Sequence, residues 1–248
     1  MKQTKTLFVV SDIHGHFSLL KDALDQAGFD PHNRNHLLIC CGDYFNRGTE
    51  NTKVLEYFET LPHKVLIRGN QDDVLLEIFE TGEFRDYYYQ NGIIETIHEW
   101  FGQDVLDTTG QQIDLSQHRT MVNRVKAFLE PTRSYFETKH FVFTHSWLPS
   151  NIDENFIQIR PNWRDADFSS WHLARLTKWI SVYHKGNRLP DKTIVCGHVP
   201  TFFGSRIGLH RKANDASIFY GNGFIALDAG TFDTKQVNVL KIEDEFIC

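Results

Sequence analysis

Five places in this chain of 248 residues put a carboxylate, an imidazole or a carboxamide directly after a short apolar run. Leu7-Phe8-Val9-Val10 runs into Ser11-Asp12-Ile13-His14-Gly15. Leu37 to Cys41 runs into Gly42-Asp43-Tyr44-Phe45-Asn46-Arg47-Gly48, and Lys64-Val65-Leu66-Ile67-Arg68 into Gly69-Asn70-Gln71-Asp72. Phe141-Val142-Phe143-Thr144 delivers His145, and Thr193-Ile194-Val195-Cys196 delivers Gly197-His198-Val199-Pro200. A buried strand fixes the position of whatever side chain stands at its end, and ligands of open sheets bind just outside the carboxyl ends of the strands. Oxygen and imidazole donors gathered there suit divalent cations. A pair of cations about 3.5–4 Å apart further needs a carboxylate able to bridge them.

The elements that position these groups are legible from periodicity. Residues 6–10 read as the first strand. Phe17 to Ala27 reads as a helix with Leu19, Leu20, Ala23, Leu24 and Ala27 on one face, closed by Gly28. Asn51 to Thr60 reads as the next helix, ended by Pro62. The spacings of 31 residues from Asp12 to Asp43 and 27 from Asp43 to Asn70 fit successive strand–helix–strand units, hence an α/β core. Residues 81–130 interrupt this rhythm. They are aromatic-rich (Phe84, Tyr87, Tyr88, Tyr89, Trp100, Phe101), helical in pattern and punctuated by Gly82, Gly92, Gly102 and Gly110, which predicts a helical insertion beside or over the site. The three consecutive tyrosines are expected to pack rather than to stack on bases. Residues 135–144 read as two short strands, 146–168 as a loop carrying Trp147, Trp163 and Arg164, and Ser170 to His184 as one helix. Gly223 to Leu227 and Gln236 to Ile242 read as the closing strands. Neither a repeat nor an interdomain linker is visible, so a single domain over 1–248 is expected.

Composition sets the outer bounds. A hydrophobic fraction of 41% and a charged fraction of 23% are those of an ordinary globule. A formal net charge of −6 speaks against broad nucleic-acid binding. Cys40, Cys41, Cys196 and Cys248 have neither a disulfide framework nor metal-type spacing and read as small buried hydrophobes in a reducing compartment. The four apolar residues before Ser11 are too few for a signal peptide or a membrane span, so a cytoplasmic protein with no membrane partner is expected. Oligomeric state leaves no trace in the sequence.

Each group has a bland role available when taken alone. Asp-x-His-Gly can be turn chemistry, Asn46-Arg47-Gly48 can close a loop, and a lone strand-end histidine is commonly a satisfied or surface group. Their order is what carries information. It resembles the calcineurin-like metallophosphoesterases, and within them the bacterial phosphoprotein phosphatase and diadenosine tetraphosphatase branch. That family's pattern is Asp-x-His-Gly, Gly-Asp-x-x-Asp-Arg-Gly, Gly-Asn-His-Glu/Asp, a strand-end His and Gly-His, and the likeness covers roughly residues 5–242. The resemblance implies a four-layer α-β-β-α sandwich around two divalent or trivalent metal ions, manganese, iron or zinc. It implies that Asp12, His14 and Asp43 hold one metal while Asp43, Asn70, His145 and His198 hold the other, with Asp43 as the bridge. A metal-bound hydroxide would then attack a phosphate monoester or phosphoanhydride, on a phosphorylated small molecule or a phosphoprotein. Arg47 would clamp the phosphate with two hydrogen bonds that a lysine could not reproduce, and Asn70 would also face the substrate. Arg164, Arg175 and Arg206 are candidates for a second phosphate contact.

Two departures bear on activity. The family's histidine after Gly-Asn is Gln71 here, and the second aspartate of the Gly-Asp motif is Asn46. In the family these form a dyad that protonates the leaving oxygen, and an amide can donate a hydrogen bond without giving up a proton. Loss of general-acid catalysis costs about 10²–10⁴ in rate for a poor leaving group and much less for a weakly basic one. Three explanations follow: a preference for anhydrides or activated esters, a proton from His16, or a site that binds without turnover. Pro200 stands where phosphodiesterase relatives often carry a further histidine ligand, which favours the phosphatase and tetraphosphatase branch over a phosphodiesterase. The remaining histidines, His32, His36, His63, His98, His118, His140, His172, His184 and His210, are expected on the surface.

Overall fold

The computed structural model describes residues 4–207 and 212–245, the side chains of 206 and 207 excepted. Its strands are β1 (Thr4–Val10), β2 (His36–Cys40), β3 (Lys64–Leu66), β4 (Tyr135–Glu137), β5 (Phe141–Thr144), β6 (Ser150–Ile152), β7 (Ile157–Ile159), β8 (Thr193–Cys196), β9 (Phe219–Gly221), β10 (Phe224–Ala226) and β11 (Leu240–Glu245). Its α-helices are α1 (Phe17–Ala27), α2 (Asn51–Thr60), α3 (Asn70–Thr81), α4 (Asp86–Gln90), α5 (Ile93–Phe101), α6 (Arg119–Leu129), α7 (Phe168–Arg175), α8 (Trp179–Lys185) and α9 (Thr231–Thr234).

Alternation along the strands builds the layers. Leu7, Val9, Leu37 and Ile39 from the sheet ordered β11-β1-β2-β3 pack against Phe143, Val195, Ile225 and Leu227 from the sheet ordered β4-β5-β8-β10-β9. The odd-facing partners Phe8, Val10, Leu38 and Cys40 turn outward to Leu20, Leu24, Val54 and Phe58 of α1 and α2. On the far side, Val142, Ile194, Cys196 and Phe224 meet Trp171, Trp179 and Val182 of α7 and α8. Helix, sheet, sheet, helix: the mixed α/β sandwich is the expected one. Strands β1, β2 and β3 are mutually parallel, as are β5, β8 and β10, so each sheet presents several carboxyl ends on one edge. Cys40, Cys41 and Cys196 are buried free thiols, and Cys248 and His210 lie outside the described residues. Among the described residues no helix is long and apolar enough to cross a membrane.

Local differences from the sequence reading have identifiable causes. Strand β3 stops at Leu66 because the chain turns to pair with Arg133: the Arg133 amide donates to Leu66 O at 2.9 Å and the Arg68 amide to Arg133 O at 2.8 Å. The stretch 146–168 contains the β6–β7 hairpin. The helix expected over 170–184 is two helices, because the Thr177 carbonyl between them is taken by the Ser146 hydroxyl. Asn238 delays β11 to Leu240, its carboxamide turned inward to Ala216 O at 2.7 Å and Leu227 O at 2.9 Å.

Residues 81–130 hold α4, α5 and α6, with Phe84, Tyr88, Ile97 and Phe101 in the same core as Phe45 and Phe58. Of the three tyrosines Tyr88 is buried, whereas Tyr87 and Tyr89 are exposed. This segment is tied to the loop after β2 in two ways. The Arg47 amide donates to Gly92 O at 2.7 Å, and a Cβ at Gly92 would meet Arg47 Cα at 2.7 Å, so only glycine lets the two backbones touch. Glu99 of α5 accepts from the Asn51 and Thr52 amides, at 3.1 and 2.8 Å, and from both their side chains, satisfying free donors at the start of α2.

Candidate metal centre

The loops that leave β1, β2, β5 and β8 converge on one spot. Asp12, His14 and Asp43 bring one donor atom each within 4.8 Å of one another, and so do Asp43, His145 and His198. Asp43 belongs to both triads. Its Oδ2 lies 3.8 Å from His14 Nε2, and its Oδ1 lies 3.6 Å from His145 Nε2. Asn70 reaches the same place: its Oδ1 is 2.8 Å from His145 Nε2.

The geometry is held by backbone. His14 Nδ1 is 3.1 Å from Phe45 O and His145 Nδ1 is 2.8 Å from Cys41 O, which makes Nδ1 a protonated nitrogen in each and turns each Nε2 toward the cluster. The Gln71 amide donates to Asp43 Oδ1 at 2.9 Å and the His198 amide to Asp12 Oδ2 at 2.9 Å. Asp72 accepts from the amides of Gly69, Asp43 and Tyr44 at 2.7, 3.1 and 3.3 Å, clasping the β2 and β3 loops together. Asp12, His14, Asp43, Asn46, Arg47 and His198 all have positive φ, between 49° and 77°. Such backbone costs about 1–3 kcal/mol each and persists where the surroundings over-determine it, typically at functional sites. Gly69 and Gly197 are required by close approach: a Cβ at either would run into the Asp43 or the Asp12 carboxylate.

The donor set suits cations. Burial drives the pKa of His14 down to about 3, with Arg47 adding to the effect, and burial followed by His145 takes His198 to about 3, so both imidazoles are neutral and able to ligate. Burial, with Asp12 and Asp72 adding negative charge, lifts Asp43 to about 7. Burial works to lower His145, but the carboxylates of Asp43 and Asp12 outweigh it and raise it. The two carboxylates of Asp12 and Asp43, crowded out of water among three imidazoles, call for compensating positive charge.

The metal centre forms the floor of a cavity of about 930 Å³ lined also by Arg47, Gln71, Asp228, Lys178, Arg85 and Tyr87. A family model described as calcineurin-like phosphoesterase matches residues 5–217. The chain belongs to the calcineurin-like phosphoesterases. Serine/threonine-protein phosphatase 2 of Salmonella typhimurium strain LT2 is 40% identical over 240 residues, covering 96% of this chain and 93% of its own length. The symmetrical bis(5'-nucleosyl)-tetraphosphatase of Aromatoleum aromaticum is 24% identical over 96% of this chain and 94% of its own. Among solved structures, one provisionally named a diadenosine tetraphosphatase superposes with a TM-score of 0.54 at 16% identity, over 98% of this chain and 94% of that one, a likeness of fold.

In this phosphoesterase the other residues singled out in the sequence fall in different places. Arg47 is half-buried on the cavity wall. Gln71 lines the cavity with its Oε1 buried and without a partner, and Asn46, fully buried, has neither side-chain atom hydrogen-bonded. His16 is not on the cavity wall; its Nδ1 bonds His14 O at 2.6 Å and its ring leans on Phe232. Arg175 is buried and spends its charge on Asp73 at 2.7 Å, and Arg164 forks onto Glu137 at 2.6 and 2.8 Å. The Arg206 side chain lies outside the described residues. Two cavity residues escaped the sequence reading. Asp228 is buried where burial and the charges of Asp12 and Asp43 push its carboxyl well above the ordinary range; the signal was another apolar run, Phe224 to Leu227, ending in an acid. His172, expected on the surface, lines the cavity and rests on Asp73 at 3.1 Å.

Proposed function

We propose that this phosphoesterase hydrolyses phosphate monoesters or phosphoanhydrides at a site holding two first-row cations, manganese, iron or zinc. The sharing of Asp43 between two donor triads at the cavity floor carries the reading. Asp12, His14 and Asp43 would hold one cation, and Asp43, Asn70, His145 and His198 the other. When bound, such a pair supplies an acidified water and positive charge for the phosphoryl oxygens. The chain's own groups do the rest. Arg47, with no ion pair among the described residues, is free to fork onto the phosphoryl group. Val74, Leu176, Ile180 and Phe203 add apolar wall to the same cavity. Gln71 can orient a leaving oxygen by hydrogen bonding but not protonate it.

Both substrate classes named by the relatives, a phosphorylated serine or threonine and a bis(5'-nucleosyl) tetraphosphate, fit this chemistry. A serine alkoxide is a strong base and a nucleotide phosphate a weak one, so the two classes differ in how much they need a proton that Gln71 cannot supply. Rates on 4-nitrophenyl phosphate, a phosphoserine peptide and diadenosine tetraphosphate, with each metal supplied in turn, test this. Turnover of at least one of the three by metal-loaded protein supports the hydrolase reading. A second reading, a metal site that binds phosphate without turning it over, draws on the unpartnered Asn46 and Gln71 amides and predicts metal-loaded protein inert toward all three.

A further inference from the structure

His172 stands on the outer flank of α7, where its ring is held from two sides. Nδ1 lies 3.1 Å from Asp73 Oδ2, and the ring of Phe168 stacks at 6.3 Å between centroids and 28° between planes. Asp73 is itself fixed: Arg175 Nε approaches the same oxygen at 2.8 Å and Arg68 Nη1 the other at 3.3 Å. With Nδ1 on the carboxylate, Nε2 is the nitrogen left for the cavity that His172 lines together with Asn70 and Gln71. Asp73 follows Asn70 by three residues in α3, so the anchor of His172 stands one helical turn, about 5–6 Å between Cβ atoms, from a metal-ligand candidate.

The sequence leaves the leaving oxygen without a proton source, because Gln71 replaces an imidazole. Three histidines line the cavity among the described residues: His14, His198 and His172. The first two belong to the donor triads. His16, the alternative offered by the sequence, is off the cavity wall, with its Nδ1 on a backbone carbonyl. Only His172 has a carboxylate behind it and the cavity in front. The other charges around it are Arg68 and Arg175 behind Asp73, Glu77 of α3 with its partner Arg85, and Lys178 at the start of α8, the last three lining the same cavity.

We propose that His172, oriented by Asp73, donates the proton that Gln71 cannot give to the leaving group; this rests on the hydrolase reading above. As water oxygen forms its bond to phosphorus, the bond to the leaving oxygen breaks and its electron pair is protonated from His172 Nε2. The neutral imidazole then recovers a proton from solvent, so that ester and water become alcohol and phosphate. Asp73 is a positioning residue and His172 the one that touches substrate.

The test is the dependence of rate on leaving-group basicity in His172→Asn, which keeps a donor for Asp73 and cannot titrate. Phenyl phosphate turnover should fall by about 10²-fold while 4-nitrophenyl phosphate stays within about two-fold. An equal effect on both substrates, or none on either, overturns the assignment. The second readout needs no turnover: the His172 ring resonances should shift when phenylphosphonate, which cannot be hydrolysed, is added. Wild-type protein inert toward both esters and toward diadenosine tetraphosphate contradicts the hydrolase reading instead, and in that case ring resonances unmoved by phenylphosphonate overturn the contact as well.

Discussion

Asp43 Oδ1 lies 3.6 Å from His145 Nε2, too far for a hydrogen bond and within the span of two ligands on one cation with bonds of about 2.1 Å. The same carboxylate reaches toward His14 with its other oxygen, at 3.8 Å. One side chain therefore ties two donor triads together, and its removal should affect both. Asp43→Asn is expected to take the bound metal from two ions per chain to one or fewer, and to lower turnover of an aryl phosphate by about 10²–10³-fold. Elemental analysis of the dialysed variant checks the first number, and unchanged metal content contradicts the bridging role.

Metal loading should release protons below neutral pH. Without cations Asp43 titrates at about 7, above the ordinary carboxylate range, so it carries a proton at pH 6 that an incoming cation must displace. His14 and His198, held down at about 3, are already neutral there and contribute none, whereas His145, raised by the carboxylates of Asp43 and Asp12 against its burial, is a second source of protons. Affinity should thus rise with pH through neutrality and then level. Calorimetry of manganese binding in buffers of different ionisation heat measures this: proton release at pH 6 that fades by pH 8.5 is expected, and release unchanged across that range contradicts it.

Restoring the family's dyad should restore its chemistry. Gln71 Oε1 and both polar atoms of Asn46 are buried without partners, so the pair Gln71→His with Asn46→Asp gives each a charged partner. Placed in the His172→Asn background, the pair should recover about 10²-fold in phenyl phosphate turnover. Asn46→Asp alone should instead lower the melting temperature, since it buries an uncompensated charge. No gain from the triple variant would show that proton delivery does not limit this reaction.

Glu99 offers a stability test away from the chemistry. Its carboxylate accepts four hydrogen bonds from Asn51 and Thr52 at the start of α2. Glu99→Ala should cost about 1–2 kcal/mol, a fall of about 2–8 °C in melting temperature for a chain of this size. Calorimetry with metal content held constant checks it, and an unchanged melting temperature contradicts the capping role.

Much of this was written locally in the chain. The bounds of α1 and α2 follow from apolar spacing and from Gly28 and Pro62, and the strand ends that carry Asp12, Asp43, Asn70, His145 and His198 follow from short apolar runs. What stayed hidden depends on contacts distant in sequence. His172 looks like any helix-surface histidine until α3 brings Asp73, 99 positions away, against its Nδ1. Arg175 looked free for phosphate for the same reason, and the helix break before α8 reflects a hydroxyl from Ser146. Asp228 was legible in kind, an acid after an apolar run, but its burial beside Asp12 comes from the meeting of the two sheets.

The most direct test of the central claim is the metal-to-protein ratio of chain loaded with manganese and freed of excess ion, measured for wild type and for His145→Ala and His198→Ala. The shared-carboxylate arrangement predicts two ions per wild-type chain, a loss of about one in each variant, and turnover of 4-nitrophenyl phosphate that follows the ratio. A wild-type ratio near zero, or variants that bind and turn over like wild type, would contradict it.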